Sequence, residues 1–262
     1  MDALNACSLA AYAAASLLYL LFHAGQRAGL ARVARVLLVV GWALQVVDIG
    51  VRCTRGQHPA SSAAEALAFI AWMIAGGYLL ASFRYRLHAA GAFAVPAALV
   101  LLLLARVVPE TESAPPGSLG IVHIFLATAG VATFALAAVI ETVYLLQERR
   151  LKYKKLDRLR GGAAPLDTLD RLAARCVTIG FPVFTLALVT GAIWVARLGL
   201  IHQPGAVRPE YIVAVGSWIA FGVLLVARAS AGWQGRRAAW LTVGGFSGVL
   251  LVVLGYLLRG AV

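Results

Sequence analysis

Eight apolar stretches, each long enough to cross a bilayer, follow one another along the chain with mostly short polar connections between them. A helix needs about 20 mostly apolar residues to span the hydrocarbon core. The spans read from hydropathy are Leu4–Phe22, Val33–Val51, Ala64–Phe83, Ala90–Val107, Leu119–Leu146, Cys176–Leu198, Tyr211–Ala229 and Ala238–Leu258. The 262 residues are 61% hydrophobic and 13% charged, with a mean hydropathy of +0.85. A soluble domain of that size could not hide so much apolar surface. The spans are too long and too uniformly apolar for barrel strands. The expected fold is therefore all-α: a polytopic membrane protein, a bundle of about eight transmembrane helices in a single domain, residues 1–262.

The longest connection, Gln147 to Arg175, is basic and is expected to hold one short surface helix. The first span follows Met1-Asp2 with no basic segment and no clear cleavage site, and reads as a retained helix rather than a signal peptide.

A net charge of +12 suggests nucleic acid until its placement is considered. Arg27, Arg32 and Arg35 follow the first span, and Arg84 and Arg86 the third. Arg149, Arg150, Lys152, Lys154, Lys155, Arg158 and Arg160 follow the fifth, and Arg236 and Arg237 the seventh. The remaining connections carry fewer: Arg52 and Arg55, then Glu110 and Glu112, then Arg208 with Glu210. Basic residues favour the cytoplasmic side, so both termini are expected outside. The basic run then serves topology and contact with anionic lipid, and no nucleic-acid partner is expected. The expected location is a bacterial cytoplasmic membrane, crossed many times.

This topology places His58, His123 and His202 at or near the outer face, and His23 and His88 in basic inner connections. Imidazole is a common ligand for transition metals and heme iron. A loop histidine is ordinarily just solvated. His123 differs, because it opens the fifth span within Leu119-Gly120-Ile121-Val122-His123-Ile124-Phe125. A polar ring among apolar residues costs free energy unless it is paired or ligated.

Ser62 and Glu65 have the spacing of a capping box, in which each side chain satisfies the other residue's backbone N–H. The functional alternative is that Glu65 and His58 face a polar site at the outer surface. Asp48 lies late in the second span, and Glu141 lies in the inner part of the fifth, within reach of a basic partner from the inner loops. Cys7, Cys53 and Cys176 form no CxxC pair, which argues against a thiol relay or a zinc site. Walker, GxGxxG, HExxH and GxSxG arrangements are absent in any meaningful context, and Pro96 and Pro182 read as single kinks. Trp72, Trp194 and Trp218 lie within spans, where aromatic side chains can flank a large planar ligand.

Several of these patterns resemble the cytochrome c assembly family, the heme-handling group with CcsA-type heme-attachment members and smaller HemX-like ones. Pro59-x-Ser61-Ser62-x-x-Glu65-x-Leu67-x-Phe69-x-x-Trp72 is similar to the family's P-x-S-N-x-x-E-S-L-x-F-x-x-W. His123 opens a span as the family's outer histidine does, and that helix ends in Tyr144-Leu145-Leu146-Gln147-Glu148-Arg149-Arg150. Gly191-Ala192-Ile193-Trp194 resembles G-A-x-W, and Gly232-Trp233-Gln234-Gly235-Arg236-Arg237-Ala238 resembles a cytoplasmic G-W-x-G-R-x-A. The resemblance covers about residues 55 to 250. Two departures stand out. Where the family has a D-P-K-E-like element after a tryptophan-rich loop, this chain has Arg208-Pro209-Glu210-Tyr211. A second outer histidine after the seventh span is missing from Gly244 to Val262, which places the chain nearer the HemX-like members.

The resemblance implies a heme-binding membrane protein of cytochrome c biogenesis that holds or passes heme at the outer face. The heme would be bound noncovalently (b-type), stably or in transit. His123 would be an axial ligand of the iron, with His202 or His58 as the second. Arg208, Arg55 or Arg52 would pair with propionates, and Trp194 and Trp218 would flank the porphyrin. Catalysis by the chain alone is not implied; a partner membrane protein would receive the apocytochrome c. The HemX-like members imply an alternative, a membrane regulator of heme synthesis acting on glutamyl-tRNA reductase. A small-molecule transporter without heme is a third reading.

Overall fold

A computed structural model describes residues 3–25, 28–54, 62–85, 87–108, 117–153, 164–199 and 208–260. The regular structure among them is helical: α1 (Ala3–Gly25), α2 (Ala28–Thr54), α3 (Ala63–Arg84), α4 (His88–Val107), α5 (Ser118–Lys152), α6 (Leu166–Arg197), α7 (Pro209–Ala231) and α8 (Arg236–Gly260). All eight are long and apolar enough to cross a membrane. In lipid a backbone N–H finds no water, so apolar segments close their hydrogen bonds internally as helices.

Successive helices pack as antiparallel pairs, α1 with α2, α3 with α4, α5 with α6, and α7 with α8. Helix α4 returns to α1 and closes a four-helix half, while α5 packs on both α3 and α8 and joins the halves. The first half is centred on Tyr12, Tyr19, Leu38, Ile74 and Val95. The second is centred on Phe134, Val177, Phe184, Phe221 and Leu224. There Phe134 stacks on Phe221 with centroids 3.8 Å apart and meets Phe184 edge-on at 5.4 Å.

His123 and Glu65 mark the end of the bundle that carries the N-termini of the odd-numbered helices; Arg228 marks the other end. Local signals set several boundaries. Ser62 caps α3 by accepting the Glu65 backbone N–H at 3.1 Å. The expected box closes on that side, while the Glu65 carboxylate turns to Arg52. Pro209 starts α7, and Gly232 ends it in a left-handed conformation (φ 62°) that favours glycine.

The inner connection lies in part, residues 154–163, outside the described residues. Its described residues form no separate surface helix. Helix α5 continues to Lys152, and α6 already begins at Leu166. Leu169, Asp170 and Ala173 on that first part of α6 are buried, so packing extends the helix. At about 1.5 Å per residue the 35 residues of α5 measure roughly 52 Å, well beyond a hydrocarbon core of about 30 Å, so α5 must project or tilt.

Glu141 is fully buried, and its partner is Arg228 near the end of α7 rather than a residue of the inner loops. Arg228 Nη2 lies 3.3 Å from Glu141 Oε1 and 3.0 Å from Asp170 Oδ1, and Nη1 lies 3.1 Å from Asp170 Oδ2. Asp170 Oδ1 also accepts the backbone N–H of Gly235 at 3.0 Å. Gly235 is left-handed (φ 66°), and a Cβ there would come within 2.8 Å of the Tyr144 hydroxyl. The Gly232-Trp233-Gln234-Gly235 turn is thus tied to α5 and α6 through one carboxylate.

Candidate functional site at the His123 end

His123 lies in the second turn of α5 and faces α6. Its Nδ1 is 2.8 Å from the carbonyl oxygen of Ala187. A carbonyl only accepts, so Nδ1 carries the proton, and in the neutral ring Nε2 keeps its lone pair. Nε2 has no hydrogen-bond partner among the described residues. A hydrogen bond from the second ring nitrogen is the usual means of fixing the tautomer and orientation of a metal-binding histidine.

The α6 surface is shaped to admit this ring. A Cβ on Gly191 would stand 2.7 Å from His123 Cε1 and 3.0 Å from Nδ1, so any larger residue there would displace the imidazole. One turn further on, Trp194 lies beside it, with centroids 5.8 Å apart and the planes at 46°. This gives the Gly191-Ala192-Ile193-Trp194 pattern a physical account: the glycine makes the notch and the tryptophan walls it. His123 and Trp194 are both half-buried, which leaves the site open to a ligand.

Trp218 is placed differently. Its Nε1–H donates to Thr185 Oγ1 at 2.8 Å, and its ring stacks on Phe181 at 5.6 Å. Thr185 lies nine residues before Trp194, or roughly 13 Å along the helix. Thr185 and Ala187 also point about 200° apart around α6, so His123 and Trp218 meet opposite sides of it. Arg208 caps α7 at the same end as His123 and is exposed. His58, His202 and Arg55 lie outside the described residues.

A second polar group occupies this end in the first half of the bundle. Arg52 on α2 bridges Asp48, one turn back at 3.1 Å, and Glu65 on α3. It borders a cavity of about 50 Å³ also lined by Asn5, Ser8, Gln45 and Arg106. A run of rings leads from this half toward His123: Trp42 stacks on Trp72, Trp72 on Phe69, and Phe69 meets Phe125 edge-on, with centroids 5.3 to 5.4 Å apart. Sequence reasoning singled out Trp72 but not Trp42 or Phe125, because isolated aromatic residues in apolar spans carry no spacing signal. No cluster of three or more His, Cys, Asp and Glu side chains suited to a bare metal ion occurs among the described residues. Cys7, Cys53 and Cys176 are free.

Comparison with known proteins agrees with this architecture. Residues 30–261 match the family profile described as Cytochrome C assembly protein. Protein HemX of Brevibacillus brevis is 29% identical over 189 residues, covering 70% of this chain and 70% of that protein. Cytochrome c biogenesis protein CcsA of Prochlorococcus marinus is 27% identical over 251 residues, covering 86% of this chain and 79% of the relative. Cytochrome c biogenesis protein CcsA of Chlamydomonas reinhardtii is 25% identical over 242 residues, covering 87% of this chain and 66% of the relative. No solved structure matches. With the family profile spanning most of its length and eight membrane-length helices beneath it, the chain belongs to the cytochrome C assembly protein family.

Proposed function

We propose that this protein binds heme at the His123 end of the bundle and holds or passes it during cytochrome c assembly. The observation that carries the reading is the His123–Ala187 hydrogen bond, which leaves Nε2 deprotonated and unpartnered beside an aromatic wall. A lone imidazole suits heme better than a bare ion, since the porphyrin supplies the other in-plane ligands. Trp194 offers its face to the ring system, and Arg208 and Arg52, two of the described cations at this end, are the candidates for propionate carboxylates. His202 and His58 are the candidates for a second axial ligand. Glu65 acts through Arg52, whose guanidinium it holds.

In this reading the His123 end faces outward, both termini lie outside, and the protein sits in a bacterial cytoplasmic membrane. A partner membrane protein receives the apocytochrome c to which the heme is attached. Hemin titration of detergent-purified protein tests the site. His123→Ala is expected to weaken binding at least tenfold while leaving the protein folded and monodisperse. Unchanged affinity would refute the assignment.

The similarity to Protein HemX supports a second reading, a regulator of heme synthesis acting on glutamyl-tRNA reductase. Its contact would be the basic inner end of α5 and the connection beyond it. Deleting residues 154–163 separates the two: a regulator loses its effect on heme precursor levels, whereas a heme handler still binds hemin.

A further inference from the structure

At the Arg228 end of the first half, away from His123, an arginine and two buried tyrosine hydroxyls come together with no carboxylate among the described residues. Arg35 lies in the third turn of α2 and is half-buried. Its guanidinium has no carboxylate partner among the described residues. Its Nη2 lies 3.3 Å from His88 Nδ1, its Cζ stands 6.0 Å from the centre of the Phe83 ring, and its Nε is buried without a hydrogen bond. Tyr19 of α1 and Tyr78 of α3 lie beside it. Their side chains are 0% and 2% exposed, their rings meet edge-on at 5.7 Å, and neither hydroxyl closes a hydrogen bond of good geometry.

A cation inside a membrane span is costly without a counter-charge, and a buried donor without an acceptor adds to that cost. Two other arginines of the spans solve this with carboxylates: Arg52 has Asp48 and Glu65, and Arg228 has Asp170 and Glu141. Among the described residues Arg35 has none: the neutral His88 Nδ1 accepts from it, and α1 and α3 bring only the hydroxyls of Tyr19 and Tyr78. What the cluster lacks is an oxyanion.

We propose that Arg35, Tyr19 and Tyr78 form a phosphate site at the inner membrane surface, occupied by the headgroup phosphate of an anionic phospholipid. Arg35 lies seven residues, or roughly 10 Å, from the start of α2, a depth that its side chain spans toward the headgroups. Exposed Arg32 and Arg84 at the same end add to the attraction, and no acid among the described residues pairs with Arg35 to receive the ammonium of a zwitterionic lipid. Arg35 makes the direct contact, while the buried tyrosine hydroxyls beside it position the guanidinium.

The test is binding of phosphatidylglycerol and phosphatidylcholine to detergent-purified full-length protein, read by native mass spectrometry, with inorganic phosphate as competitor. Phosphatidylglycerol should be retained in preference to phosphatidylcholine. Arg35→Gln should weaken its binding about tenfold, in line with loss of a charge-assisted contact. Arg32→Gln, which removes only an exposed charge nearby, should weaken it far less than Arg35→Gln. The double variant Tyr19→Phe/Tyr78→Phe, which keeps both rings, should weaken binding severalfold and carries the test if Arg35→Gln does not fold. Competition by phosphate that disappears in Arg35→Gln would confirm the oxyanion chemistry; binding of free phosphate without lipid selectivity would assign the site to a soluble anion and overturn the lipid occupant. Equal losses in Arg32→Gln and Arg35→Gln, or none in either Arg35→Gln or the tyrosine double variant, would overturn the site itself.

Discussion

Arg228 holds Asp170 at two points, Nη1 to Oδ2 at 3.1 Å and Nη2 to Oδ1 at 3.0 Å, and the same Nη2 reaches the fully buried Glu141. One guanidinium thus joins α5, α6 and α7 where the backbone turns into α8. Such pairs are weak arguments for net stability, but breaking one leaves charges stranded.

Arg228→Ala is therefore expected to destabilise the protein by about 3–5 kcal/mol. Arg228→Lys, which keeps the charge but not the two-point geometry, should fall between it and the parent. Denaturation in mixed micelles, followed by helicity, measures both.

The Gly191 notch makes a sharper claim about the site. Gly191→Ala puts a methyl 2.7 Å from His123 Cε1, so the imidazole must move off the Ala187 carbonyl. Hemin affinity should fall about tenfold, with an overpacking cost of about 1–3 kcal/mol in stability. Gly244→Ala, where nothing lies within 4 Å, is the control and should change neither.

The Arg52 bridge predicts non-additive substitutions. Arg52→Gln leaves Asp48 and Glu65 facing each other across the cavity, which should cost about 2 kcal/mol. Adding Glu65→Gln removes one of those charges and should recover part of the loss. A double-mutant cycle is expected to give a coupling of about 1 kcal/mol.

The tryptophans should separate by function. Trp218→Phe loses a hydrogen bond to Thr185 and should cost about 1 kcal/mol in stability without altering hemin binding. Trp194→Ala should weaken hemin binding, because its ring walls the His123 site. Hemin titrations of both variants, beside their thermal unfolding, distinguish the roles.

The helices were legible because apolar length is the one signal a bilayer imposes on every span. All eight expected spans correspond to helices of the structure. Their inward faces were not legible: Leu79 and Leu80 read alike, yet one is 4% and the other 76% exposed. Lipid is as apolar as the core, so periodicity carries little contrast. The extensions of α5 and α6 read as a separate basic connection because their charged residues lie beyond the apolar stretches that mark a span. Arg228, a single charge near the end of an apolar span, gave no hint that it served Glu141 and Asp170. His123 stood out because an imidazole among apolar residues demands a partner, and Ala187 supplies one. Its partner lies 64 positions away, a distance that no local pattern encodes.

The most direct test of the central claim is the reduced-minus-oxidised absorption spectrum of hemin-loaded protein, comparing the parent, His123→Gly and His123→Gly with added imidazole. The account predicts sharp reduced bands in the parent, their loss in His123→Gly, and their return when free imidazole enters the vacated position. Unchanged bands in His123→Gly, or a loss that imidazole does not restore in a folded variant, would contradict His123 as the iron ligand.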